Sequence, residues 1–89
     1  AADAVALNSC TAGLHLSLLA CKVGEGDQVI TTPLTFCATA NTVLHAGATP
    51  VFVDVDRDTG TLSVEATRAA LTGRTRVILP VHYAGRPAD

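Results

Sequence analysis

Residues Asn8-Ser9-Cys10-Thr11-Ala12-Gly13-Leu14 form a run of small side chains between an apolar stretch, residues 3–7, and an apolar helical segment ending near Lys22. Such a turn can hold an anion. The first N–H groups of a helix lack intrahelical acceptors, the helix dipole adds partial positive charge there, and small side chains let a phosphate approach the backbone. Thr11 adds a hydroxyl donor beside the amides of Thr11 and Ala12. The same pattern also serves as an ordinary cap, because Ser or Thr commonly starts an apolar helix. Spacing alone leaves both readings open.

The other chemistry-bearing residues are few. Asp54 and Asp56 have the spacing of a paired-carboxylate site, yet they flank the turn-like segment 56–60. Aspartate there satisfies local amides, so turn chemistry is the reading taken. His15 and His45 fall on helical segments, one on a polar stripe and one near a helix C-terminus, where partial negative potential suits an imidazole. Neither is expected to act. Lys22 is the only lysine, and it ends the first helix roughly 16 Å from the small-residue turn, for eleven residues rising ~1.5 Å each. It cannot serve a ligand bound at that turn. Cys10, Cys21 and Cys37 are odd in number and lack C-x-x-C spacing, so neither a disulfide framework nor a zinc site is indicated, and buried or semi-buried free thiols are expected.

The pattern that positions these residues is alternating. Residues 3–7 read as a short strand and 11–22 as a largely buried helix, with Gly24 suited to its end. A strand over 28–32 stops at Pro33, and a second helix over 36–46 runs to Gly47. After Pro50, the run Val51-Phe52-Val53 reads as a strand covered on both faces, spanning 51–55. Ser63 can cap a third, amphipathic helix to about 72, with Val64, Ala70 and Leu71 inward, and 76–82 forms a last strand. Strands alternating with helices through short links predict an α/β fold, three-layer αβα with a mostly parallel sheet. Phe36 and His82 then follow strands at the carboxyl end of the sheet, where ligands of open α/β sheets collect.

Composition sets the bounds. At 89 residues, 48% of them hydrophobic, the chain makes one domain with material for a core. Its net charge of −2, with six Lys and Arg spread along the sequence, offers no basic stripe for nucleic acid. No run approaches the ~18 apolar residues of a membrane span, so neither nucleic acid nor membrane is an expected partner and the expected location is cytoplasmic.

Four blocks, taken together and in order, resemble one family. They are Val23 to Ile30, Thr31 to Asn41, Gly47 to Asp56, and Ile78 to Asp89, and with the Asn8 to Leu14 turn they resemble the DegT/DnrJ/EryC1/StrS sugar aminotransferases, a branch of fold-type-I pyridoxal-phosphate enzymes. The resemblance implies pyridoxal 5'-phosphate as cofactor, Thr11 and Ala12 as its phosphate cradle, and Phe36 as the aromatic lying against its ring. Cys10, where the family more often has glycine, and His82 would stand on the site rim. No catalytic residue and no metal is expected in this chain. The implied reaction moves an amino group from an amino acid to a keto sugar, usually nucleotide-linked, in a homodimer whose active sites lie at the interface. The family also includes sugar dehydratases and cyclitol transaminases, and a regulatory or structural homologue is a further alternative; a plain dinucleotide module is disfavoured because no G-x-G-x-x-G follows a strand. Without a methionine, and stopping within a motif, residues 1–89 are expected to be an internal fragment of the large cofactor domain, the cofactor-bearing lysine lying beyond Asp89.

Overall fold

The structure, a computed structural model, describes residues 1–89. Its elements run α1 (Cys10–Ala20), β1 (Gln28–Thr31), α2 (Ala38–His45), β2 (Thr49–Phe52), α3 (Val64–Ala70) and β3 (Thr75–Ile78), followed by a 3-10 turn at Tyr83–Gly85. The three strands form one parallel sheet in the order β2-β1-β3. β1 pairs with β2 from Gln28 opposite Thr49 to Thr31 opposite Phe52. On its other side β1 meets β3 through a register shift that skips Arg76. The Arg76 side chain instead donates from Nε to the Cys21 carbonyl at 3.2 Å, which fixes the end of α1 beside the start of β3.

Alternation along β1 divides the core in two. Val29 packs with Leu18, Val23, Val43 and Ala48 on the face covered by α1 and α2. Ile30 packs with Val53 and Leu62 on the other face, beneath Ala66 and Ala70 of α3. The expected three layers are therefore present. Val29 and Ile30 are fully buried, and each side chain of that size contributes about 1.5–3 kcal/mol relative to exposure.

Both helices of the first layer end in the same backbone motif. After α2, the Gly47 amide donates to the Leu44 carbonyl and the Ala48 amide to the Val43 carbonyl, with Gly47 left-handed at φ 82°. After α1, the Lys22 amide donates to the Leu19 carbonyl and the Val23 amide to the Leu18 carbonyl. Each is a Schellman closure sealed by an apolar contact, Val43 with Ala48 and Leu18 with Val23. The left-handed residue of the first is Lys22, at φ 56°, rather than a glycine. Gly24 is thus not the end of α1; it lies beyond, where its amide donates to the Asp27 carboxylate at 3.0 Å.

Several expectations are corrected. Residues 3–7 form no strand: they run exposed into the Ser9 cap, with no neighbouring strand to complete a ladder. Only Leu18 of α1 is buried, and Leu16 and Leu19 stay about half exposed because α2 and the sheet cover a single stripe of the helix. β2 spans 49–52 rather than 51–55, with Pro50 inside it; an edge strand tolerates a residue lacking an N–H donor. Phe52 is 50% exposed, so that strand is not covered on both faces. α2 begins at Ala38 rather than 36. α3 turns Ala66, Thr67 and Ala70 inward and leaves Val64 and Leu71 half exposed. β3 ends at Ile78, since Pro80 cannot donate to the ladder. All three cysteines are exposed free thiols at or beside helix ends, not buried ones.

Candidate functional site

The small-residue turn is built on Ser9. Its backbone is extended (φ −159°, ψ 152°), and its Oγ accepts from the Ala12 amide at 3.2 Å while its carbonyl accepts from the Gly13 amide. This cap engages Ala12. The amides left without a partner in the chain are those of Cys10 and Thr11, beside the Thr11 hydroxyl, and all are exposed. No acidic residue occupies the first turn of α1. The helix thus presents partial positive charge that no carboxylate of its own first turn offsets.

Topology places this end. The C-terminus of α1 is tied to the start of β3 by the Arg76 to Cys21 bond, at the amino end of the parallel sheet, so Cys10 and Thr11 begin the helix from the opposite, carboxyl side. Phe36 sits on the link from β1 to α2, and His82 on the segment leaving β3, both at that carboxyl side. Phe36 is 77% exposed, a large apolar ring covered by little of the chain. His82 is exposed, and its Nδ1 accepts from the Ala88 amide at 3.0 Å, which leaves Nε2 as the protonated nitrogen of the neutral ring. No hydrogen bond joins Thr11, Phe36 and His82 to one another. The three surface cavities, of about 560, 260 and 290 Å³, lie around α3 and the 56–62 turn and include none of them. The candidate site is therefore an open edge.

The other sequence candidates are accounted for locally. Asp56 accepts through Oδ1 from the Asp58 and Thr59 amides, each at 3.0 Å, and Asp54 from the Val55 amide at 3.2 Å. Asp56 holds the 56–60 turn, and Asp54 satisfies the next backbone amide. His15 and His45 meet edge to face across α1 and α2 with ring centroids 6.1 Å apart. Lys22 lies at the far end of α1. No group of three or more His, Cys, Asp or Glu could hold a metal ion, and no helix is long and apolar enough to cross a membrane. Sequence reasoning missed the threonines around Phe36: Thr32 Oγ1 accepts from the Leu34 amide at 3.1 Å, and the Thr35 and Thr39 hydroxyls meet at 2.8 Å. A Thr pair four residues apart across a helix start was the available signal.

The chain that builds this α/β edge matches known proteins over most of its length. Residues 1–89 match the DegT/DnrJ/EryC1/StrS aminotransferase family. The chain belongs to that family. It is 56% identical over 86 residues, 97% of its length, to an uncharacterised protein of Methanocaldococcus jannaschii, of which the match covers 22%. Among solved structures it superposes on DesV of S. venezuelae with a TM-score of 0.89 at 43% identity, covering 92% of this chain and 22% of that one. It superposes on 3-amino-5-hydroxybenzoic acid synthase with a TM-score of 0.87 at 46% identity, covering 89% and 21%. A Streptococcus pneumoniae protein described as a sugar aminotransferase, solved in its PLP form, gives 0.89 at 43% identity, covering 93% and 21%. The chain thus spans about a fifth of the length of the relatives it matches.

The residues present fit the cofactor held by the family's solved members. Two unpaired amides and a hydroxyl at a helix start with no acidic residue in its first turn suit a phosphate, and an uncovered aromatic suits a flat ring.

Proposed function

We propose that residues 1–89 are the early part of the large cofactor-binding domain of a pyridoxal-phosphate-dependent aminotransferase. The observation that carries this reading is the start of α1: an exposed helix end with no acidic residue in its first turn and with free Cys10 and Thr11 amides, in a chain matching the family throughout. In the proposed protein the Cys10 and Thr11 amides and the Thr11 hydroxyl grip the phosphate, and Ala12 keeps the approach clear. Phe36 lies against the pyridine ring and orients it. Pyridoxal phosphate supplies the electron sink that lets an amino group leave one carbon and join another. His82, with Nδ1 engaged by Ala88, offers Nε2–H as a donor on the rim. Lys22, at the far end of α1, does not reach this edge, so the lysine that moves the proton comes from another part of the protein.

The acceptor proposed is a keto sugar, nucleotide-linked, and the donor an amino acid; the likeness to a protein described as a sugar aminotransferase supports the sugar. A cytoplasmic homodimer is the assembly proposed. The test uses the whole protein: loaded with pyridoxal phosphate and given glutamate or glutamine, it should lose the visible cofactor band, and a keto sugar should restore it. Failure to bind the cofactor would overturn the reading in favour of a structural or regulatory role. Binding without any spectral response to amino donors would overturn the aminotransferase assignment.

A further inference from the structure

Phe36 is held in an unusual way. Its ring is 77% exposed, so side-chain packing does little to set its direction. Its backbone, by contrast, is fastened at both ends. Before it, the Thr32 hydroxyl accepts from the Leu34 amide and the Thr35 amide donates to the Pro33 carbonyl at 3.0 Å. After it, the Phe36 carbonyl accepts from the Thr39 amide at 3.0 Å. The Thr35 and Thr39 hydroxyls, 2.8 Å apart, close the loop across Phe36. Cys37, the cap residue of α2, makes no side-chain capping bond, so this hydroxyl pair is the side-chain link between loop and helix. Thr39 is itself anchored: it is buried, and its carbonyl accepts from the Thr42 hydroxyl at 3.2 Å.

We propose that Thr39, through its hydroxyl contact with Thr35, is a positioning residue that fixes the Phe36 ring for the cofactor. This rests on the reading that Phe36 lies against the pyridine ring. A ring oriented by its backbone alone keeps its place only while that backbone has one conformation, and ordering it on binding otherwise costs affinity.

The experiment compares Thr39→Val, Thr39→Ser, Phe36→Ala and the Thr39→Val/Phe36→Ala double variant in the whole protein, measuring cofactor affinity and the induced circular dichroism of the bound cofactor. Thr39→Val should weaken binding by about five- to tenfold and diminish the dichroism, and Thr39→Ser, which keeps the hydroxyl, should restore both. In the Phe36→Ala background, Thr39→Val should have no further effect on affinity, since residues acting as one unit are not additive. An equal loss in both backgrounds, or an unchanged Thr39→Val protein beside an impaired Phe36→Ala one, would overturn the proposal. Normal affinity in Phe36→Ala itself would overturn the underlying reading of Phe36, a distinguishable failure. A Thr39→Val protein that does not fold, with Thr39→Ser equally impaired, would make the hydroxyl irrelevant and overturn it as well.

Discussion

The starts of α1 and α3 carry the same cap and opposite electrostatics. Ser9 and Ser63 are both extended, and each Oγ accepts from the amide three residues on, Ala12 and Ala66, at 3.2 Å. Two residues after the cap the chains part. That position holds Thr11 in α1 and Glu65 in α3, so α3 neutralises its own positive end while α1 leaves it open. Ser63 is also built into the fold, its amide donating to the Asp54 carbonyl at 3.1 Å and its carbonyl accepting from the Thr67 hydroxyl at 2.7 Å. Ser9 is exposed, and its side chain hydrogen-bonds only with Asn8 and Ala12. A serine cap by itself therefore says nothing about ligands. The missing carboxylate is what separates a helix start available to an anion from one that only holds a turn.

The strongest way to break this comparison is to make α1 resemble α3. Thr11→Glu should close the site: it removes a hydroxyl donor and sets a carboxylate against the cofactor phosphate, a repulsion of about 4 kcal/mol at 4 Å and an effective dielectric constant near 20. Cofactor affinity of the whole protein should fall by at least ~100-fold, roughly 2.7 kcal/mol or more, while the fold is kept. Equilibrium binding of pyridoxal phosphate checks it. Unchanged affinity would place the phosphate elsewhere and end the argument from α1.

Much of the frame was legible because single residues force it. Pro33 stops β1, Gly47 takes the left-handed position after α2, and Ser63 caps α3, each for a local reason that survives any tertiary context. What failed depended on packing. The apolar pattern of α1 reads as burial, but burial needs neighbours, and only the Leu18 stripe has them. Val51-Phe52-Val53 reads as doubly covered for the same reason, although β2 lies at an edge. At the site, the small-residue turn and Phe36 were visible as a family pattern. The identity of the free amides was not. It depends on the Ser9 hydroxyl choosing Ala12, which leaves Cys10 and Thr11 available rather than Thr11 and Ala12.

A smaller effect is expected from removing both caps in turn. Ser63→Ala should destabilise α3 by about 1 kcal/mol, within the ~0.5–2 kcal/mol usual for a lost cap, because Ser63, unlike Ser9, is itself half-buried and its bond to Ala66 is partly shielded from water. Ser9→Ala should lie at the low end of that range, since water reaches an exposed helix start. Hydrogen exchange of the 64–70 and 10–20 amides in the whole protein reads the two separately. Equal losses at both ends would show that burial does not distinguish the two starts.

The smallest change tests the charge alone. Glu65→Gln keeps the length and shape of the side chain and the Ser63 cap, and removes only the negative charge facing the start of α3. A carboxylate in a first turn contributes about 0.3–1 kcal/mol at low ionic strength, so protection of the 64–70 amides should weaken by that amount. Cofactor affinity should not change, because Glu65 lies near the 56–62 turn and not beside Thr11 or Phe36. Salt supplies the control: at 1 M the screening length falls to about 3 Å, and the wild-type and Glu65→Gln proteins should exchange alike. A difference that persists in high salt would mean that Glu65 acts through packing rather than charge, and the contrast between the two helix starts would lose its electrostatic basis.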